Sequence, residues 1–488
     1  MPVTTLLQIL RQVFSNPRLK QKQGKKLQFS PILLEERWLP DASFALVGSV
    51  LHLDGFAANA SLEIQSVGNE FQFDLTGDKW DASLLPNTNF DISGLTSLQT
   101  LAGGTITSIS IGTTNAVGNV LNTAAIQIEN LSIVTSGSVT LTDASNDFDS
   151  ITIHTTGVGN VDLTDVDDIT LSDVDTFNGS ITVVAGGNIT ATDVQSLTNA
   201  DANDISLTAN GAASDILVTT ISAGTNGDVT LVAGDDVVDS DSADANLLTA
   251  DVLTVTAANA TDDATDGIRL DTTVNSLDAS VTGGAAGGGI DIDETNSITL
   301  TDIDTFNGSI TVVAGTSITA TDVESLTDAE SNDISLTTTA GDILVGGISS
   351  GGTAGDVTLN SAGAIVDDNG AALNITADVA TLSAFTGIGD GNALETTVVT
   401  LEADNATSGD IEIVETSGLL ISSTGVQTLD GNGNINIDVE AGNLTVNSVV
   451  TAHGAGTVTL NADAGTIALA AAVTSTTGAI AVTGDVVN

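Results

Sequence analysis

The chain of 488 residues has no cysteine, no tyrosine, three histidines and five prolines, and it is poor in basic side chains. Without cysteine there are no disulfides, thiolate metal centres or cysteine nucleophiles. Aromatic residues are 3% of the total, and beyond residue 40 the only tryptophan is Trp80. Tandem immunoglobulin-like sandwiches, which want a large aromatic core residue in each unit of about 100 residues, are therefore disfavoured. The histidines, His52, His154 and His453, are far apart and have no Ser or acidic partner at motif spacing. No nucleophile–base–orienter triad can be read from them. No apolar run reaches the roughly 18 residues that a membrane-crossing helix needs.

The scarcity of cations is uneven. Against 63 acidic residues stand 9 basic ones, for a net charge of -54. Arg11, Arg18, Lys20, Lys22, Lys25, Lys26 and Arg37 all precede residue 38; beyond it only Lys79 and Arg269 remain. So acidic a body repels phosphate backbones, which excludes a nucleic-acid partner. It favours solubility and draws cations. High charge with few aromatics can signal disorder, but 41% hydrophobic content, rich in Val, Ile and Leu, points to a folded body.

Self-comparison reveals repeats. Residues 169–209 align with 298–338 without gaps at an offset of 129, with 32 of 41 positions identical. GDVTL at 227–231 returns at 355–359, LDTTVNSLDA at 270–279 returns as LETTVVTLEA at 394–403, and GIDIDET at 289–295 returns as DIEIVET at 410–416. A third, diverged copy begins near 418. The expected organisation is a basic leader over 1–40, a cap and first coils over 41–130, and repeat units over 131–288, 289–417 and 418–488.

Within each unit, apolar–polar–apolar triplets follow Gly, Asn, Asp or Ser. Ile181, Ile205, Val229 and Leu253 are spaced by 24; Ile435, Leu444, Val458, Ile467 and Ile480 give coils of 22–23. Two or three short strands per coil of 22–24 residues predict an elongated all-β parallel β-solenoid, a right-handed β-helix, in which stacking shelters faces that one coil cannot bury. Thr and Ser suit the outer pleat, Gly and Asn the corners. Near-absence of proline spares the ladder hydrogen bonds. At about 4.8 Å per coil the array would extend roughly 90 Å. Residues 41–100, with Phe71, Phe73, Trp80 and Phe90, break the pattern and read as the N-terminal cap that an open sheet edge requires.

Function is less legible. Parallel β-helices can host carbohydrate-active enzymes, and carboxylate pairs stand at Asp167–Asp168, Asp235–Asp236, Asp262–Asp263 and Asp367–Asp368. An acidic sugar also needs neighbouring cations, and Lys79 and Arg269 are isolated. The pairs sit beside turns, where Asp is expected anyway. Calcium suits acidic turns better. DVDTFNG at 173–179 and DIDTFNG at 302–308 start like calcium loops, but Phe177 and Phe306 occupy a ligand position and no Glu closes the loop. DGNGNINID at 430–438 offers weak calcium candidates in Asp430, Asn432, Asn434 and Asp438. Threonine ladders of the ice-binding kind do not recur at one place per coil.

Two resemblances add to this reading. GSITVVAGGNITATDV (179–194), GDVTLVAG (227–234) and the stretch 389–421 resemble the repeat regions of filamentous-haemagglutinin-like adhesins and large β-strand-repeat bacterial surface proteins. That likeness covers most of 130–488 and implies a right-handed β-helix, export and adhesion, although the family's usual secretion domain is not matched. LEERWLPDAS (34–43) resembles the Leu-Glu-x-Arg leader of many planctomycete exported proteins, through Leu34, Glu35, Arg37 and Pro40. Just upstream, LLQILRQVF (6–14) precedes the basic run, the reverse of a standard secretory signal; it reads as a targeting leader or as a short exposed segment. The expectation is a non-enzymatic, secreted or cell-surface structural or adhesive protein. Its partners would be surface or matrix glycans and proteins, with membrane association only through the leader or export machinery, and end-to-end self-association. No cofactor is expected other than calcium, in a scaffold reading.

Overall fold

A computed structural model describes residues 42–57, 60–67, 70–76, 96–97, 107–113, 115–240, 248–259, 267–283 and 288–487. The basic leader expected over 1–40, Trp80, Phe90 and the Asp262–Asp263 pair lie outside the described residues. Those residues form strands and no helix, and no helix long and apolar enough to cross a membrane is found among them. The strands stack in parallel into a β-solenoid of about 16 turns.

At roughly 4.8 Å per coil, 16 turns span about 77 Å, shorter than the length expected from the residue count. The reason lies at the start. Ser43–Val47 and Val50–Asp54 form an antiparallel hairpin, as do Ser61–Val67 and Glu70–Thr76. Their inner strands then pair in parallel with Ser108–Ile111 and Asn119–Leu121. Two hairpins thus begin the stack, with Phe71 and Phe73 buried and their ring centroids 6.5 Å apart.

In the body, alternation does the work the sequence implies. Ile181–Ala185 buries Ile181, Val183 and Ala185 and turns Thr182 and Val184 outward. Ile181 stacks on Ile205, then Val229, Leu253 and Leu277, each paired in register. Each buried Val, Leu or Ile side chain gains about 1.5–3 kcal/mol over an exposed one, and only the neighbouring coils supply the cover.

A coil has two unequal sides. One carries a five-residue strand such as Ile181–Ala185; the other carries two short strands, Ile189–Ala191 and Val194–Ser196. Three times the sides exchange roles. The long strand splits around a bulge between Ile151 and Thr152, between Leu277 and Asp278, and between Leu401 and Ala403. In the same coil the two short strands merge into Val161–Asp165, Gly289–Glu294 and Ile411–Glu415.

The exchange sets the relation between the long repeats. Five steps up from Ile181 lies Leu300. Ile310, the sequence equivalent of Ile181, instead stands five steps above Ile189 on the other side. One repeat is therefore five and a half coils, and the second copy faces away from the first. The third copy's long strand, Ile435–Val439, lies above Ile298, Ile318 and Ile343, back on the side of Ile181.

Candidate functional site

The acidic turns are first of all structural. Asp168 Oδ1 accepts the Asn188 amide at 2.7 Å, and Asn188 Oδ1 accepts that of Asp215 at 2.9 Å. Asp215 then accepts Asp236 at 3.3 Å, and Asp236 accepts Gly267 at 2.8 Å. Asp204, Asp228 and Val252 make a second such ladder, and Asp333, Asp356 and Val379 a third. A side-chain oxygen just before each strand thus satisfies the amide at the same place one coil on. This explains why Asn, Asp and Ser precede the triplets.

The paired carboxylates are dispersed in this framework. Asp367 Oδ1 accepts the Asn369 amide at 2.8 Å and the Asn374 side chain at 2.9 Å. The calcium candidates are dispersed too. Asn432 Oδ1 accepts the Ala455 amide, Asn434 Oδ1 the Thr457 amide and hydroxyl, and Asp438 Oδ1 the Asn461 side chain, all to the next coil. Asp430 holds the Gly431 amide at 2.8 Å and lies 3.8 Å from His453 Nδ1. His52 sits outward on a cap strand, opposite Ser110.

DVDTFNG is a strand, not a loop. Asp173 and Asp175 point outward while Val174 and Thr176 turn in. His154, one coil below, reaches Asp173 Oδ2 with Nε2 at 3.3 Å and Asp175 Oδ2 with Nδ1 at 3.4 Å. Burial, then the Asp173 charge, pushes the Asp175 carboxyl above its ordinary range, and His154 partly offsets this. In the second copy Ser280 replaces His154 opposite Asp304. Asp278, Asp302, Asp304, Asp322 and Glu324 there form a carboxylate face, and burial followed by the Asp302 charge raises Asp278, Asp304 and Asp322. The apolar pair Phe177/Leu197 (51% and 57% exposed) closes the first face, and Phe306/Leu326 (45% and 57%) the second.

Asp215, Asp235 and Asp236 bring carboxylate oxygens within 4.8 Å of one another, and a ring nitrogen of His154 lies equally close to carboxylate oxygens of Asp173 and Asp175. Oxygen donors of this kind suit a hard divalent cation.

Sequence reasoning missed the most buried acids. Asp165, Glu294 and Glu415 each end a merged strand, at the inward position where the alternation calls for an apolar residue. Each stands four residues before the next repeat copy, at Ile169, Ile298 and Leu419. The signal was present in VDLTD, GIDIDE and IEIVE, whose acid falls in phase with the core. Glu294 Oε2 accepts the Val274 amide at 2.9 Å and the Thr272 hydroxyl at 2.8 Å, while Oε1 accepts the Asn296 amide at 2.8 Å. Glu415 repeats this on Val398 (3.0 Å), Thr396 (2.8 Å) and Ser417 (2.9 Å). Asp165 holds the amides of Phe148 at 2.8 Å and Asp167 at 3.1 Å. The merged strand stops above Thr272 and Thr396, so the carboxylate takes the place of the missing backbone acceptor. Burial raises all three carboxyls against the pull of those bonds, Asp165 to about 7.

Beside two of these acids lie shallow depressions. One of about 330 Å³ is lined by Asp271, Asp293, Glu294 and Thr339; its counterpart of about 190 Å³ is lined by Glu395, Val414, Thr416 and Glu440. Such carboxylate-lined hollows can gather cations or basic groups.

No family model, no curated protein and no solved structure matches the chain.

Proposed function

We propose that this protein is a structural or adhesive rod, exported to the cell surface or beyond, that acts through many weak contacts and not through a catalytic pocket. The observation that carries the reading is the recurrence of one surface, a carboxylate strand face ending in an exposed apolar pair, in the first and second repeats. Repetition of a shallow site gives avidity without deep burial at any one copy. The partners that fit are glycans or proteins of another surface or matrix. The resemblance to filamentous-haemagglutinin-like repeats supports the same reading.

The test is location followed by binding. Antibody labelling of intact cells is expected to reach the chain, and purified rods are expected to bind a glycan or matrix array more tightly than a one-repeat fragment. Label that appears only after lysis overturns export. Equal affinity for rod and fragment overturns multivalency.

A second reading, a calcium-dependent extracellular scaffold, is favoured by the approach of Asp215, Asp235 and Asp236. Bound calcium would raise apparent stability by mass action. A thermal melt that is unchanged by chelator in full-length protein removes that reading and leaves the first intact.

A further inference from the structure

The carboxylate face at the first exchange differs from its copy at the second by one imidazole. His154 stands opposite Asp175, where the second copy has Ser280 opposite Asp304. The side chain points outward and is 37% exposed, so the core does not call for a ring there. The ring lies across both carboxylates of the coil above, with Nε2 3.3 Å from Asp173 Oδ2 and Nδ1 3.4 Å from Asp175 Oδ2. One ring nitrogen and one oxygen from each carboxylate fall within 4.8 Å of one another. The ladder that holds these donors together is short: Thr152, Ile153, His154 and Thr155 pair with Asp173, Val174, Asp175 and Thr176 between two register shifts.

Two features set this group apart from an ordinary ion pair. The nitrogen–oxygen separations exceed the roughly 2.7–2.9 Å of a charge-assisted hydrogen bond. They match the spacing of about 3.3–3.6 Å that bonds of about 2.0–2.2 Å at tetrahedral angles leave between neighbouring ligands of zinc. In addition, Asp175 Oδ1 is sealed from solvent and has no hydrogen-bond partner. A carboxylate oxygen in that state is costly unless a cation compensates it, and the charges of Asp173 and Asp193 add to the cost. The donor set selects the ion. An imidazole nitrogen with two carboxylate oxygens suits zinc, whereas calcium takes about six to eight oxygens. A ring that meets a carboxylate at each nitrogen can ligate through one and be held in orientation through the other, as metal-bound histidines commonly are. Exposure of His154 and Asp173 leaves the remaining ligand positions to water.

We propose that His154, Asp173 and Asp175 form a zinc site that clips the coil of His154 to the coil above it at the first exchange. The clip falls where the backbone ladder is interrupted on both sides, so it ties coils together where main-chain pairing is least continuous. In the second copy Ser280 leaves an all-oxygen face around Asp302 and Asp304, which lacks the nitrogen that favours zinc. An ion held by the folded chain raises its stability by mass action. The site is independent of the adhesive reading and of the calcium reading, whose carboxylates are Asp215, Asp235 and Asp236.

The test is zinc binding to the full chain in excess calcium, which occupies the diffuse acidic surface. Calorimetry is expected to show one tight site per chain. His154→Ser, which installs the residue of the second copy, is expected to weaken it roughly tenfold or more. His453→Ala is expected to leave it unchanged, although His453 also lies near a carboxylate, that of Asp430. Zinc is expected to slow amide hydrogen exchange in peptides over 152–155 and 173–176 and to leave those over Ile205–Ala209 as they were. Zinc-edge X-ray absorption of the loaded wild-type chain needs no variant, and is expected to show one imidazole among oxygen ligands. An all-oxygen shell, equal affinity in His154→Ser, or a loss of binding that follows His453 instead of His154 overturns the proposal.

Discussion

Asp236 Oδ1 accepts the amide of Gly267 from the coil above at 2.8 Å, while its own amide donates to Asp215 Oδ1 in the coil below at 3.3 Å. The residue is one rung of a side-chain ladder, and Asn188 serves as an equivalent rung two coils down. Asp236→Asn keeps the acceptor and is expected to cost less than the alanine variant. Asp236→Ala leaves the buried Gly267 amide without it and is expected to cost about 1–3 kcal/mol, read by denaturant unfolding and by exchange at Gly267.

Outward and inward positions of one repeat separate binding from folding. Phe306→Ser and Phe177→Ser remove exposed rings, so each is expected to leave stability within about 0.5 kcal/mol. On an immobilised partner array the double variant is expected to dissociate faster than either single one. Ile310→Ala, fully buried in the same copy, is expected to cost about 2–5 kcal/mol. If the serine variants unfold the rod and the alanine variant does not, the assignment of faces is wrong.

Gly425 lies in the bulge of the third exchange with φ of +84°, and a Cβ there would stand 2.0 Å from the Val449 carbonyl. Neither the backbone angle nor the space admits a side chain. Gly425→Ala is expected to lower the melting temperature, whereas Gly370→Ala, with a similar φ of +73° and nothing within 4 Å, is expected to lower it less. Differential scanning calorimetry of the two variants makes the comparison.

The pH dependence of global stability follows from carboxyls whose folded values lie above their ordinary range, among them Asp165, Asp304, Glu294 and Glu415. The folded chain then binds protons more tightly than the unfolded one. The stability linked to these groups is full below the unfolded carboxylate range near about 4. It declines as pH rises through the folded-state values, which for Asp165 lie at about 7. Melting at pH 5 is expected to occur at a higher temperature than at pH 8. The opposite order would falsify this account.

Salt is expected to act in the same direction as acid. Asp278, Asp302, Asp304, Asp322 and Glu324 repel one another across adjacent coils. Raising ionic strength from about 0.01 M to 0.1 M shortens the screening length from about 30 Å to 10 Å. The melting temperature at pH 8 is expected to rise over that range, and a flat response would show that the face is not under repulsion.

Much of this architecture is legible in the residues. The spacing of Ile181, Ile205, Val229 and Leu253 gives the coil directly, because identical columns can form only if stacked residues recur at coil length. Asn432 and Asn434 do use their side-chain oxygens, although toward the next coil's amides, a use that local spacing does not reveal. The side exchange was hidden for a physical reason. A five-residue alternation such as ITVVA looks the same on either side of the coil, so its partner column is fixed by a bulge at residues like Ser172 and Thr301, where the pattern gives no apolar signal. The offset of 129 against a coil of 24 did hold a trace of it, since the quotient is not whole. Asp165, Glu294 and Glu415 escaped notice because acids are sought at surfaces, and these stand in phase with the core.

The half-coil remainder gives the array a parity. Laid along a flat substrate, the molecule can press only odd-numbered or only even-numbered copies against it, and the others look away into the medium. Adding one more repeat would then leave grip on the near plane unchanged and place a fresh hold on the far one, so growth by single units favours bridging two bodies over carpeting one.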